Sequence, residues 1–292
     1  MLFGAHMARG WNALYSPEYS RIGANVTSPP TSSYHASDGA AYERFLGRWT
    51  LRLAEPLLNF LAPPDGDLID IGCGTGSLAV AMKQRWPGRR VVGADIAKAY
   101  IEYARSHADG PEFEIAEAGS LPYADGSFAG AASQLVLNFV GDPGRAVAEM
   151  RRAVRTGGVI AAAVWDFRGG LAYQRLFWDT AAGVDASAGA ARDKLFSHPL
   201  GLPDGLVDLF RRGGLADVTR ASLTIRMDFA DFDDYWTPLL GGQGPFGGFI
   251  GALDADRRAR IEALVRAAYL SGMPDGPRSL TATAWAARGI VP

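Results

Sequence analysis

The chain has 292 residues, 48% hydrophobic and 21% charged, with a formal net charge of −2; this fits a globular α/β protein of one elaborated domain or two smaller ones, not a disordered chain. Neither half is a basic block, which argues against avid nucleic-acid binding. The one cysteine, Cys73, excludes an intramolecular disulfide framework and multi-cysteine zinc sites, and the apolar run Gly158–Trp165 is far too short to span a bilayer.

Residues 1–38 are rich in Ser, Gly, Pro, Asn and Tyr and are expected to form a partly flexible N-terminal arm. Trp11, Tyr15, Tyr19 and Tyr34 would anchor it if it strapped over a site. The first residues lack a basic stretch followed by a sustained apolar one, so a cytoplasmic location is expected. From Gly39 the apolar residues Tyr42, Phe45, Leu46, Trp49, Leu53, Leu57 and Leu58 recur at three- and four-residue steps, which predicts a helix closed by Pro63-Pro64. Leu68–Ile71 is a short apolar run ending in glycines, the signature of a buried strand. Ser77–Trp86 reads as a helix stopped by Pro87-Gly88, and Arg90–Ala94 as a second strand ended by Asp95. Ile96–His107 is a predicted helix with Ile96, Tyr100, Tyr103 and Ala104 on one face, and Glu112–Ala116 a third strand. Phe128–Leu137 is the fourth. Asp142 is expected to cap a helix that opens with Pro143, buries Val147, Met150 and Val154, and ends at Thr156-Gly157-Gly158. Val159–Trp165 is the fifth strand. Beyond it, helices are expected at 171–182, 203–212, 231–240 and 254–270, and strands at 217–227 and 280–287. The glycine-rich stretch 241–249 reads either as a lid or as a surface connection.

Strands alternate with helices throughout residues 67–166. That calls for a parallel sheet with helices on both faces, because crossovers between parallel strands are nearly always right-handed. Ligands of such sheets bind beyond the carboxyl ends of the strands, at the switch point. There stands Asp70-Ile71-Gly72-Cys73-Gly74-Thr75-Gly76, an acid on a strand followed by glycines at alternate positions and then a helix. Glycine permits the torsions and close approach that a Cβ would block. A dinucleotide fingerprint would need G-x-G-x-x-G, and its last position is Ser77, so a nicotinamide-dependent reading is disfavoured.

The loop resembles motif I of the class I S-adenosylmethionine-dependent methyltransferases, over about residues 40–166 and more loosely over 203–287. The resemblance implies a doubly wound, mostly parallel seven-stranded sheet of the Rossmann-like methyltransferase type. Its last strand would be antiparallel, and cap or lid insertions would lie at about 168–204 and 228–278 of a domain spanning 39–292. It also implies S-adenosylmethionine as cofactor, held by Asp70, Gly72, Cys73, Gly74 and Gly76. Asp95, 19 residues beyond Gly76, would take the ribose hydroxyls, and it also reads as the N-cap of the helix after it. Ile96, Glu117, Ala118, Ser133 and Gln134 would complete the cofactor site, with Glu117 standing where the family usually has Asp. Tyr42-Glu43-Arg44-Phe45-Leu46-Gly47-Arg48-Trp49 is similar to the cap helix of the small-molecule members, the quinone-biosynthesis branch among them. Carried over, Tyr42 and Arg48 would reach the cofactor's carboxylate. Methyl transfer from a sulfonium needs alignment and exclusion of water more than a strong acid or base. The candidate catalytic residues are Gln134 and Asn138 at the end of the fourth strand and His198 as a lid-borne base; Asp166 lies near the same edge. Asn138 is followed by Phe139-Val140, not by the Pro-Pro-aromatic pattern of nucleic-acid and protein amide methylases. The expected substrate is therefore a small, partly apolar molecule, with no nucleic acid, metal or membrane insertion and a monomer or homodimer. Phe177, Trp178, Phe229, Phe232, Tyr235, Trp236, Phe246 and Phe249 are its candidate walls or, equally, the core of a cap. The competing reading is a catalytically silent cofactor-binding module, which would have its space beside Gln134 filled by side chains.

Overall fold

The first helical segment illustrates how burial overrides local propensity. The computed structural model describes residues 39–241 and 244–292; the arm of residues 1–38 lies outside them. Helix α1 (Gly39–Tyr42) leads through a π-helical turn, Glu43–Gly47, into α2 (Arg48–Leu61), which contains Pro56. An interior proline costs about 3 kcal/mol. Leu53, Leu57, Leu58 and Leu61 are fully buried on this helix, and each contributes roughly 1.5–3 kcal/mol, so the buried face wins.

The sheet is built from β1 (Leu68–Ile71), β2 (Val91–Asp95), β3 (Glu112–Ile115), β4 (Phe128–Gln134), β5 (Val154–Trp165), β6 (Ala216–Phe229) and β7 (Arg278–Ile290). Its order is β3-β2-β1-β4-β5-β7-β6, with β7 antiparallel between β5 and β6 and the other pairings parallel. This is the seven-stranded, mostly parallel architecture expected. Helices α3 (Ser77–Arg85), α4 (Lys98–His107) and α5 (Pro143–Ala153) make the crossovers. The chain leaves β1 toward β2 and later returns to its other side with β4, so the switch point falls between β1 and β4. The carboxyl ends of β1, β2 and β4 therefore place Gly72, Asp95 and Gln134 around one crevice.

Several boundaries differ from expectation, each for a local reason. Strand β4 ends at Gln134 because Leu135 turns to φ +65° and Phe139 N–H donates to the Val136 carbonyl. Helix α5 stops at Ala153, where Val154 already pairs with Phe128. Asp142 does cap it, its Oδ1 accepting from Arg145 N–H at 2.9 Å. Ile96 precedes α4 and is 47% exposed, while Ile101 takes the buried position assigned to it.

The cap comprises α6 (Ala172–Ala182), α7 (Ala186–Phe196), α8 (Gly205–Arg212), α9 (Phe232–Trp236), α10 (Gly244–Gly251) and α11 (Ala255–Leu270). Helix α7 was not anticipated; Asp185 caps it by accepting from Ser187 and Ala188 N–H. Of the glycine-rich stretch, residues 242–243 lie outside the described residues, and Gly244 onward is helix rather than loop. Phe246 is fully buried and drives that docking, stacking on Trp178 at 5.2 Å and meeting Phe177 edge-on at 5.1 Å.

Candidate active site

The glycine loop is stitched to the end of β2. Gly72 and Cys73 N–H groups both donate to the Ala94 carbonyl, at 2.7 and 3.0 Å. Gly72 adopts φ +73°, and a Cβ there would lie 2.4 Å from Val136 Cγ1. Gly74 adopts φ +53°, yet a Cβ on it would meet nothing closer than the Tyr100 ring at 3.9 Å. Its missing side chain thus leaves open space in front of the loop.

That space is a cavity of about 160 Å³. Asp70, Gly72, Cys73, Gly74, Asp95, Ile96, Glu117, Ala118, Gln134 and Tyr42 line it, gathered from β1, β2, β4, the segment after β3 and α1. The remaining candidates lie elsewhere. Gly76 packs against Phe113, where a Cβ would approach to 2.8 Å, and so shapes the loop from behind. Ser133 is fully buried one residue before Gln134, on the alternate face of the strand. Arg48 turns outward: its guanidinium pairs with Asp234 at 3.0 Å and lies 4.2 Å over the Trp49 ring. His198 and Asn138 are also absent from the cavity lining. His198 instead caps the 3₁₀ turn Pro199–Gly201, its Nδ1 accepting from Leu200 N–H at 3.3 Å. Burial pushes its imidazole below the ordinary range, against an opposing hydrogen bond with the Asn138 backbone. Asp166 likewise serves its own turn, accepting from Arg168 and Gly169 N–H.

The electrostatics are dominated by two acids. Asp70 is 1% exposed, and neither carboxyl oxygen has a partner in hydrogen-bonding geometry. Burial, then the charge of Asp95, pushes it up to about 8, with the Ala79 amide pulling weakly the other way. Asp95 is also raised by burial, but Ala97 N–H donates to its Oδ1 at 2.7 Å and Gly74 N–H to its Oδ2 at 2.9 Å, and these pull it down. The residue acts on the helix start while Ala97, not Asp95, is the N-cap of α4. A carboxylate offers about four lone pairs, so two remain for a ligand. Cys73 is buried beside both acids, and burial holds its thiol well above the ordinary range.

Other residues of the site escaped sequence reasoning. Thr75 donates its hydroxyl to Glu43 of the π-helical turn and so ties the glycine loop to the segment above it. Tyr42 packs its ring against Tyr100 at 5.2 Å. Gln134 donates Nε2 to the Thr50 carbonyl at 2.9 Å, which fixes its amide. Gln174, Trp165, Phe139, Phe167 and Phe246 complete the far wall. Of the eight aromatics expected to form walls, Phe246 lines the cavity; Phe177, Trp178, Phe229, Phe232, Tyr235 and Trp236 are buried in the core cluster that joins the cap to α2 and the sheet, and Phe249 packs half-buried against it. Gln174 was legible in principle: Gln174, Phe177, Trp178 and Ala181 follow the spacing of one helix face, so a polar group sits on a buried stripe.

Comparison with known proteins agrees with this geometry. Residues 69–162 match the family described as a methyltransferase domain. Over 94 residues the chain is 36% identical to a malonyl-[acyl-carrier protein] O-methyltransferase of Hahella chejuensis, covering 32% of this chain and 34% of that protein. Over 115 residues it is 35% identical to a demethylmenaquinone methyltransferase of Thermus thermophilus, covering 38% and 51%. The chain thus matches about half or less of the length of these curated relatives. A crystal structure of a methyltransferase from an antibiotic biosynthesis pathway of Anabaena variabilis superposes with a TM-score of 0.57 at 18% identity, covering 82% of this chain and 96% of that one, and so shares the fold.

Proposed function

Because the chain carries a class I S-adenosylmethionine-dependent methyltransferase domain, we propose that it transfers a methyl group from S-adenosylmethionine to a small, partly apolar molecule. One observation carries the reading. Asp70, with an orphaned buried carboxyl, and Asp95, with a backbone-clamped one, both line one cavity beside a glycine loop whose missing Cβ leaves it open. The cofactor combines an ammonium, a carboxylate and a sulfonium, a net positive charge. The charged residues among the described cavity lining are Asp70, Asp95 and Glu117, with no Lys, Arg or His. Such a lining favours a cation over a neutral thioether of the same shape.

In this reading Asp70 accepts from the ammonium, which gives its unpaired oxygens partners and returns it to the ionised state. Asp95 receives the ribose hydroxyls on its free lone pairs. When bound, the cofactor supplies an electrophilic methyl group that is displaced in line. The protein contributes alignment and dryness: Phe45, Phe139, Trp165 and Phe246 wall the space beside Gln134. Because the departing thioether is neutral, no general acid is called for. An open, aromatic-lined cavity beside Gln134 speaks against the catalytically silent alternative. The acceptor atom, N, O or C, is left to a screen of small acceptors read by release of S-adenosylhomocysteine. Titration calorimetry with S-adenosylmethionine comes first; a well-folded sample that takes up none rejects the proposal.

A further inference from the structure

The segments that line the cavity differ in how they are held. Gly72 and Cys73 are bonded to the end of β2, and the π-helical turn is tied to the glycine loop through Glu43 and Thr75. Thr50, in the first turn of α2, is hydrogen-bonded to Ser77 Oγ at 3.0 Å. Helix α10 brings Pro245 and Phe246 to the lining. It reads Gly-Pro-Phe-Gly-Gly-Phe-Ile-Gly and has no polar side chain with which to make such a tie. Phe246, Phe249 and Ile250, at i, i+3 and i+4, form its one apolar stripe. Phe246 and Ile250 are buried, and Phe249 packs half-buried against the rings of Phe177 and Trp178, at 6.1 and 5.3 Å. Apolar docking of these three side chains is what holds the helix down.

Four of the eight residues of α10 are glycine, which after proline favours a helix least. Two of the four have no packing reason to be glycine. A Cβ on Gly248 or Gly251 would meet nothing within 4 Å, both residues are exposed, and neither adopts a left-handed φ. Alanine at Gly248, in the helix interior, would fit and would favour the helical state about fivefold. A helix of this length does not persist by itself in water, so α10 is helical only while its stripe is docked. Its glycines keep the undocked, unwound state close in free energy, as expected of a segment that opens. We propose that α10 is the door of the cavity. Ligands enter and leave when it undocks and unwinds, and Gly248 sets how readily it does so. The inference rests on the methyltransferase reading for the ligand that passes.

A door has a kinetic signature. When binding and release both pass through the undocked state, a substitution that stabilises the docked helix slows both by the same factor and leaves the equilibrium constant alone. Binding and release of radiolabelled S-adenosylhomocysteine by the full chain are followed by rapid filtration. Gly248→Ala is expected to lower both rate constants about fivefold, with Kd unchanged within about twofold. Phe249→Ala shortens a stripe residue that is absent from the cavity lining, and it should raise both rate constants by at least about fivefold. Rate constants within about twofold of the wild type in either folded variant overturn the inference. So does a slower release in Gly248→Ala that is matched by a tighter Kd, because the substitution then acts on the bound state and not on the passage. Each of these results leaves the methyltransferase reading standing. A folded sample that binds no S-adenosylhomocysteine overturns that reading and this inference with it.

Discussion

Substituting Asn for Asp70 probes the electrostatics of the cavity through stability as well as binding. The native carboxyl is buried without a partner and is pushed up to about 8, against 3.8 for an unperturbed group. Between those values the folded chain retains a proton that the unfolded chain has released. Stability therefore falls as pH rises through this window, by up to about 1.4 kcal/mol per pH unit. The penalty is absent below the unfolded value and complete above the folded one. Asp70→Asn keeps the shape and removes the titration; its own unpaired amide adds a cost that does not vary with pH. From about pH 5.5 to about pH 7.5 the variant should gain on the wild type by on the order of 2 kcal/mol, or roughly 5 °C in Tm for a domain of this size. The assay is thermal unfolding of both proteins across that range. All other titratable groups are common to both proteins and drop out of the difference. The wild type should also bind S-adenosylmethionine more tightly as pH rises toward 8, since pairing with the ammonium needs the ionised carboxyl, and the variant should lose that dependence. Parallel Tm profiles for the two proteins would refute the reasoning.

Three further outcomes follow from the same geometry. Asp95→Ala removes the acceptor clamped by Gly74 and Ala97 N–H groups; S-adenosylmethionine affinity measured by calorimetry should fall by about a hundredfold, the value of two charge-assisted hydrogen bonds, and a change under about threefold would remove Asp95 from the site. Gly72→Ala forces a Cβ to within 2.4 Å of Val136 at φ +73°; denaturant unfolding should show a loss of about 2 kcal/mol or more, whereas an unchanged midpoint would mean that the loop relaxes freely. Arg48→Ala breaks an exposed pair with Asp234 and should cost at most about 1 kcal/mol of stability without altering cofactor affinity; a tenfold loss of affinity would bring Arg48 back into the site.

The order of strands and helices through Trp165 could be read from the chain because each signal is local. A short apolar run between glycines, a proline pair after a helix and an Asp-Pro cap each act within a few residues. The glycine loop and Asp95 are local in the same sense: both follow directly from a strand end, and parallel pairing puts strand ends side by side. Side-chain direction at a distance is a different matter. Tyr42 and Arg48 stand six residues apart, about 120° round a regular helix, with a π-helical turn between them, and one lines the cavity while the other meets Asp234. His198 was a candidate base by its place in an insertion, and only the fold shows its ring committed to the turn that follows. The cap aromatics have equal hydrophobicity wherever they pack; tertiary contacts alone send Phe246 to the cavity and Phe177 and Trp178 into the cap core. What the sequence determined is which backbone geometry each segment adopts, because that depends on neighbours along the chain. What the tertiary structure decided is which polar groups are left without partners, Asp70, Gln134 and Gln174 above all, because satisfaction depends on everything packed around a group.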